Sequence, residues 1–259
     1  MTTIALMVLL LLLCPWWGQA AIRCDGVDDD VTTGTALSSF MSAATGALVV
    51  SVKPTVAAVG SGTSHCYDGE RLFVDFDGAT GNMGLQRNGN LGGNDRVCAT
   101  NWSGSEQYVE SAYTLSAWTT LAWVHSGGQL FLYKDGLPLT SVSSGNTSSL
   151  TSPLRLCTGG LGVVPAQGII DEAWAFSTPP DAATLRSMGQ GRVRRLSRGT
   201  PTGYWPLDDC GLNNASGNGV ALRDATGLGH PMTANHGADA AGMLCRNSDY
   251  MSFPWGVID

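Results

Sequence analysis

Short stretches of apolar or alternating residues, separated by Gly, Asn, Asp and Ser, recur along the chain from residue 47 to residue 176. In the stretch 71–77, Leu72, Val74 and Phe76 fall on one face, which is the period of a half-buried strand. Further strands are predicted at 47–53, 107–115, 118–125, 129–134, 153–158 and 168–176. Gly-rich composition predicts a turn at 78–81 and a loop at 86–95.

A tight hairpin turn is predicted at Asp135-Gly136, directly after the strand 129–134. Both central residues of a type I′ turn need positive φ, which Asp and Gly tolerate better than most residues. A second turn is predicted at Gly127-Gly128, on the other side of the same strand. Strand 129–134 is therefore expected to be joined to its neighbours by short turns.

One helix is predicted, over residues 180–188. Two prolines and Asp181 stand at its start, where proline and an acidic side chain are favoured, and Gly189 ends it. Its apolar stripe consists of Ala182, Leu185 and Met188. Eight or more short strands with a single short helix predict an all-β protein, an antiparallel β-sandwich or jelly roll.

Composition narrows the class of function. The chain has 259 residues, of which 34 are glycine, and only 14% are charged. With 43% hydrophobic residues it can form a packed core, so disorder is excluded as its main state. The formal net charge is −7, whereas a nucleic-acid surface is basic, so we expect no nucleic-acid partner.

The first 20 residues predict a leader. Residues 4–13 are ten consecutive apolar residues, too few for a membrane span, which needs about 20. Gly18 and Ala20 supply the small residues that a signal peptidase requires. Residues 1–20 are interpreted as a cleaved signal peptide, with a retained hydrophobic arm as the alternative, because the segment before the apolar run carries no Lys or Arg. We therefore expect an extracellular protein without a membrane span.

Six cysteines follow the leader, an even number that in an exported chain predicts three disulfides. Six cysteines allow 15 pairings, among which the sequence does not choose. The pairing we expect is Cys66–Cys98, Cys210–Cys245 and Cys24–Cys157. No cysteine or histidine spacing is typical of a zinc site.

The run 118–136 places a Trp before a strand and then a strand ending in Tyr-Lys-Asp-Gly, which resembles the central hairpin of laminin-G-like and concanavalin-A-like jelly rolls. The runs 153–160 and 168–176 resemble the closing strands of that family, and Cys24-Asp-Gly-Val-Asp-Asp-Asp-Val31 resembles an early strand. The resemblance covers roughly residues 22–190 and implies the same sandwich fold, with a jelly-roll domain over 21–190.

The family's opening segment is missing from the front of the chain and is found at the back. Tyr-Trp-Pro-Leu-Asp at 204–208 and Asp-Ala-Thr-Gly-Leu-Gly-His at 224–230 resemble it, after an Arg-rich linker at 191–202. The segment 203–259 is too short for a second jelly roll. We expect it to complete the sandwich of its own chain, as in a circular permutation, or that of a neighbouring chain.

No catalytic constellation is apparent. A glycosidase on this fold needs two carboxylates across a cleft, usually as Glu-x-Asp-x-x-Glu, and the chain has no such run. Asp75 and Asp77 share a face without a flanking Glu. Asp171 and Glu172 are adjacent, so they point to opposite faces of a strand and are interpreted as structural. A Gly-x-Ser-x-Gly elbow is also missing, so we expect no enzyme activity.

Two binding sites are predicted. Oxygen ligands from Asp28, Asp29 and Asp30 are suited to calcium, which sandwiches of this family often carry; a solvated turn is the alternative, and no cofactor is required. Trp102, with Asn101 and Tyr108 nearby, is the candidate for stacking on a sugar ring.

The expected function is non-enzymatic recognition or adhesion at a surface, with a glycan or a surface glycoprotein as the ligand. It rests on the resemblance, because one fold supports many activities. The alternative is a structural subunit, such as a virion decoration or fibre protein or part of an extracellular appendage, which would assemble with itself or with other subunits.

Overall fold

The computed structural model describes residues 21–26, 29–56, 66, 71–75, 83–88, 96–102, 105–112, 117–145, 150–157, 166–189, 200–207, 220–235 and 245–246. It confirms an all-β protein with antiparallel sheets. None of the helices in these ranges is long and apolar enough to cross a membrane.

The first sheet has the strand order β10-β9-β8-β3-β12-β1-β16, with β13 also paired to β12. Its strands are β1 (Ala21–Asp25), β3 (Gly46–Pro54), β8 (Thr119–Ser126), β9 (Gln129–Lys134), β10 (Leu137–Ser143), β12 (Gln167–Phe176), β13 (Gly203–Trp205) and β16 (Cys245–Arg246).

The second sheet has the order β14-β15-β2-β11-β4-β5-β6-β7. Its strands are β2 (Asp30–Ala36), β4 (Arg71–Asp75), β5 (Gly84–Asn88), β6 (Arg96–Trp102), β7 (Glu106–Ala112), β11 (Pro153–Leu156), β14 (Val220–Leu222) and β15 (Met232–Asn235). A short 3-10 helix, Leu37–Ser39, follows β2.

The hydrophobic core lies between the two sheets and takes alternate residues from strands of both, such as β3, β6 and β15. Trp123 of β8 is fully buried there, and its indole N–H donates to the carbonyl oxygen of Thr100 on β6 at 2.9 Å. This bond joins the two sheets, and it satisfies an indole donor that would be costly to leave unpaired in the core.

Two of the three expected disulfides are present among the described residues. Cys24–Cys157 connects β1 of the first sheet to the residue after β11 of the second, so it crosses the sandwich. Cys66–Cys98 attaches Cys66 to β6. Cys210 and the side chain of Cys245 lie outside the described residues, so that pair stays a prediction.

The segment after the Arg-rich linker contributes strands to both sheets. β13 pairs with residues 173–175 of β12, on the strand edge where β1 pairs with residues 167–170. β1 and β13 therefore lie one after the other along the same edge of β12, although they are far apart in the sequence. β15 pairs with β2 in the second sheet and inserts Met232 and Ala234 into the core.

The motif at 224–230 folds into a turn organised by Asp224. Its carboxylate accepts hydrogen bonds from the backbone N–H groups of Tyr204, Thr226 and His230 and from the hydroxyl of Thr226, at 2.7–3.3 Å. The carbonyl oxygen of His230 in turn accepts the indole N–H of Trp205 at 2.8 Å. The motifs at 204–208 and 224–230 thus stabilise one another.

The helix α1 (Ala182–Gly189) packs on the outer face of the first sheet. The carboxylate of Asp181 accepts the backbone N–H of Thr184 at 2.6 Å and so caps the helix. Leu185 and Met188 are buried as predicted, but Ala182 is exposed and Thr184 takes the buried position in the first turn. The buried face of the helix therefore begins two residues later than the apolar stripe indicates.

The turn Asp135-Gly136 contacts this helix directly. Both residues have positive φ, 53° and 74°, as a type I′ turn requires. The Asp135 carboxylate accepts the Thr120 N–H at 3.0 Å. Loss of solvation raises the pKa of Asp135, although that N–H and the nearby Lys134 oppose the change.

Gly136→Ala should lower the free energy of unfolding by about 2–3 kcal/mol, because a Cβ there would overlap the Cα of Arg186 and the residue must keep a positive φ. Gly127→Ala is the matched control, with φ of 59° and open space around its Cβ, and should cost about 1 kcal/mol. Urea unfolding of both variants measures the difference. Equal losses would contradict a backbone contact between turn and helix.

Other differences concern the second sheet. Residues 86–88, predicted as loop, belong to β5, and β6 at 96–102 was not predicted. Both strands have polar side chains on the outer side that are nonetheless buried, including Gln86 and Thr100. Polar composition therefore indicated a loop where the sheet is covered on both faces.

Candidate functional site

The outer face of the second sheet is polar. On β2, Val31 points into the core, so Asp30 and Thr32 point outward. On β15, Met232 and Ala234 point inward, so Thr233 and Asn235 lie on the same outer face. Half-buried polar side chains at successive strands form a surface where a ligand could make several hydrogen bonds.

The Asp30 patch is defined as Asp30, Thr32, Arg155, Thr233 and Asn235. Thr32 pairs with Arg155 on one side and with Thr233 on the other, and Asp30 pairs with Asn235. All five side chains are half-buried. Burial raises the pKa of Asp30, while the guanidinium of Arg155 acts in the opposite direction.

The Tyr108 patch is defined as Arg96, Tyr108 and Glu110, on β6 and β7. Arg96 Nη1 lies 3.7 Å from Glu110 Oε1, and about a third of each side chain is exposed. The half-buried Tyr108 packs against Cys66 and Cys98. The patch presents an aromatic ring two positions along β7 from the carboxylate that contacts the Arg96 guanidinium.

The Cys66–Cys98 disulfide adjoins the Tyr108 patch. Cys98 and Thr100 point to the outer side of β6, and Gln86 does so on β5, yet all three are buried. Gln86 Nε2 donates to Thr100 Oγ1 at 2.6 Å, and Cys98 is bonded to Cys66. The outer face is therefore covered around Cys66, while the two patches reach solvent.

The three predicted sugar contacts have different positions. Asn101 points into the sandwich, is fully buried and donates from Nδ2 to Ser144 Oγ at 2.7 Å. The prediction that Asn101 contacts a glycan is therefore corrected, because a surface ligand cannot approach its amide. Tyr108 lies on the outer face, and Trp102 belongs to β6, with a side chain outside the described residues.

The predicted calcium ligands are not brought together in what is described. Asp29 is fully buried, Asp30 lies on the outer face, and Asp28 is outside the described residues. Within the described ranges, three or more His, Cys, Asp or Glu side chains converge at Cys66, Cys98 and Glu110. Two of those three are bonded to each other and so offer no thiolate. Calcium binding stays a prediction.

The adjacent carboxylates of β12 have structural surroundings. The hydroxyl of Tyr204 donates to Glu172 Oε1 at 2.9 Å, and the Tyr204 ring stacks on Trp174 with centroids 5.4 Å apart. Asp171 is buried as well. Both acids lie in the first sheet, away from the two patches. Asp77 and the side chain of Asp75 lie outside the described residues.

Arg155, Thr233 and Asn235 were not identified from the sequence. The alternation Met-Thr-Ala-Asn at 232–235 predicts a strand with Thr233 and Asn235 on one face. Nothing in it indicates that this strand lies beside Asp30, some 200 residues earlier. The pairing of β15 with β2 creates the patch.

No protein-family model matches the chain, and no match is found among curated proteins. A candidate carbohydrate-binding protein from Bacteroides ovatus has a similar structure, with a TM-score of 0.59 and 15% identity over 88% of this chain and 59% of that protein. This chain thus spans about three-fifths of that protein's length.

Two further solved structures are similar over most of this chain. A heptameric SAP-like pentraxin from Limulus polyphemus gives a TM-score of 0.55 at 10% identity, over 85% of this chain and 96% of the pentraxin. The enzymatically active domain of tailspike protein 2 of bacteriophage CBA120 gives 0.55 at 12% identity, over 74% of this chain and 30% of that one. At sequence identities this low, the structural similarity establishes a shared fold alone.

Proposed function

We propose that this protein is a secreted glycan-binding module without catalytic activity, and that the outer face of the second sheet is its binding surface. The observation that carries the proposal is the pair of polar patches on that face. Each combines a carboxylate with a guanidinium, and one adds an aromatic ring. Sugars present hydroxyls and apolar ring faces, which such groups bind.

Features elsewhere are in keeping with this proposal. The candidate carbohydrate-binding protein from Bacteroides ovatus shares the fold. The leader predicted at 1–20 and the two disulfides suit an exported protein. Glu172 is occupied by Tyr204, and Asp171 is buried in the same strand, so neither is placed as a catalytic acid on the proposed surface.

The proposal predicts that the protein, immobilised or labelled, binds members of a glycan array. Tyr108→Ala should weaken that binding at least tenfold, about 1.4 kcal/mol, because it removes the ring of the Tyr108 patch. Tyr108→Phe keeps the ring and should retain most of the affinity. Isothermal titration with the best array ligand measures both.

The fold control is the melting temperature, which should be nearly the same for both variants. Lys53→Met, on the outer face of the first sheet, is the surface control and should bind like the natural protein. A folded protein that binds no glycan would overturn the proposal. If Lys53→Met abolished binding and Tyr108→Ala left it intact, the binding site would lie on the first sheet instead.

A structural subunit is the second candidate, favoured by the edge strand β10. Every residue of β10 except Val142 is exposed, including Leu137 at 53% and Leu139 at 39%. An exposed edge strand without charged residues can pair with another chain. Pro138 and a register shift between Pro138 and Ser141 oppose such pairing in the first half of the strand. The similarity to a phage tailspike domain suits this candidate.

A further inference from the structure

We propose that the Asp30 patch is a subsite for two neighbouring hydroxyl groups of a neutral sugar. This inference rests on the proposed function and deepens it, because it names the ligand class and the residues. It predicts that the protein prefers neutral glycans to sulfated, sialylated or uronic ones.

One carboxylate oxygen of Asp30 lacks a donor. Oδ1 of Asp30 is inaccessible to solvent and accepts no hydrogen bond from the described residues. Because the χ2 torsion of Asp is broad and roughly two-fold, rotation of this half-buried carboxyl brings the unpartnered oxygen to the surface. A ligand hydroxyl that donates to it there removes the cost of a buried acceptor without a partner. Burial also raises the pKa of this carboxyl, which is the sign of a partly desolvated group. A hydrogen bond to it gains from the low local dielectric.

Arg155 provides the complementary group. It pairs with Thr32, which places it diagonally from Asp30 across the β2–β11 ladder, and its charge acts on the Asp30 carboxyl. Diagonal neighbours of this kind are within the range of a long side chain. The patch therefore holds an acceptor-only group beside a donor-only group.

This combination selects among ligand charges. An anion attracted by Arg155 would lie against the Asp30 carboxylate, and a cation attracted by Asp30 would lie against Arg155, so each gains one contact and suffers one repulsion. A hydroxyl donates and accepts, so two adjacent hydroxyls can serve Asp30 and Arg155 together without adding charge. The net charge of −7 further disfavours an anionic polymer.

The remaining residues of the patch suit such a ligand. Thr32, Thr233 and Asn235 are half-buried, uncharged and short, so they line the surface between Asp30 and Arg155 without filling it. The hydroxyl of Thr32 donates to the carbonyl oxygen of Thr33 and can still accept a hydrogen bond. Two of the three come from β15. The subsite is therefore assembled only when the C-terminal segment pairs with β2.

The test uses the full chain against immobilised neutral polysaccharides (β-glucan, mannan and galactan) and anionic ones (heparin, hyaluronan and polysialic acid). Binding to at least one neutral polymer and tenfold weaker binding to the anionic ones is expected. Asp30→Asn and Arg155→Met should each weaken neutral binding at least tenfold. The double variant should lose much less than the product of the two, because both residues serve one ligand group.

Two controls match these changes. Asp181→Asn makes the same change at the cap of α1, where Asn caps as well as Asp, and Lys53→Met removes a cation from the first sheet. Both should bind normally, and all variants should melt near the natural protein.

Each failure has its own meaning. Preference for the anionic polymers, or loss with Tyr108→Ala but not with Asp30→Asn or Arg155→Met, would overturn the subsite and leave the glycan-binding function standing. A folded protein that binds no polymer in either set and nothing on the array would overturn both proposals.

Discussion

A chain that ends at Ser197 will fail to fold into a stable monomer. The truncation removes Trp205, Leu207, Leu222 and Met232, each at most 1% exposed, together with Ala234 from the same core. Truncating one large buried side chain costs about 2–5 kcal/mol, so the four large ones amount to about 8–20 kcal/mol. The total free energy of unfolding of a typical domain is only about 5–15 kcal/mol.

The backbone is affected as well. Without β13, the edge of β12 at residues 173–175 loses its partner, and without β15 the outer edge of β2 loses its partner. Circular dichroism and light scattering of the truncated and full chains measure the outcome. We expect the full chain to be folded and the truncated chain to be unfolded or aggregated.

Trp205→Ala in the full chain is the graded control. It should cost about 3–5 kcal/mol, because the buried indole packs edge-on against Phe40 at 5.5 Å and donates to His230. A folded, soluble monomer ending at Ser197, with oligomers formed only by the full chain, would contradict closure within one chain. It would instead indicate that the segment 203–259 connects one chain to another and would favour the structural-subunit candidate.

Loss of the Cys24–Cys157 disulfide should be the second largest effect, about 3–5 kcal/mol. The bridge joins residues 133 positions apart, and closing so long a loop removes much of the entropy of the unfolded chain. It also joins the two sheets through buried atoms. The double variant Cys24→Ala/Cys157→Ala should melt roughly 6–20 °C lower, at 2–4 °C for each kcal/mol.

The other bridge is the matched control. Cys66–Cys98 spans 32 positions, so the same reasoning gives a loss about 1 kcal/mol smaller for Cys66→Ala/Cys98→Ala. The Cys66–Cys98 bridge lies beside Tyr108, so Cys66→Ala/Cys98→Ala should also lose glycan affinity. Cys24→Ala/Cys157→Ala should keep its glycan affinity at temperatures at which it is folded. A larger stability loss from the Cys66–Cys98 pair would show that loop length is not the governing factor.

Sequence patterns were most informative where a strand has one apolar face or a turn has special chemistry. The strand 129–134, the turn at Asp135-Gly136 and the buried positions Leu185 and Met188 follow from local alternation, positive φ and helical period. The pattern was misleading where both faces of a strand are covered. Gln86 and Thr100 are buried polar residues joined by a hydrogen bond, and such pairing leaves no trace in hydrophobic periodicity.

The candidate site was predicted only in part, for a related reason. Tyr108 was identified as an aromatic residue in a polar region, and it lies on the outer face. Its neighbour Asn101 was identified on the same grounds and lies in the core, because one step along a strand reverses the direction of the side chain. When both faces of a strand carry polar residues, the sequence alone does not determine which set of alternate residues faces outward.

By itself, the sequence determined the all-β class, the main hairpin and the helix, because each depends on neighbouring residues. Only the tertiary structure decided that β13 continues the strand position begun by β1 and that β15 lies beside β2. It also brought Asp30 and Arg155 together with Asn235. Such pairings join residues far apart in the chain, and their free energy comes from shared burial that no local pattern records.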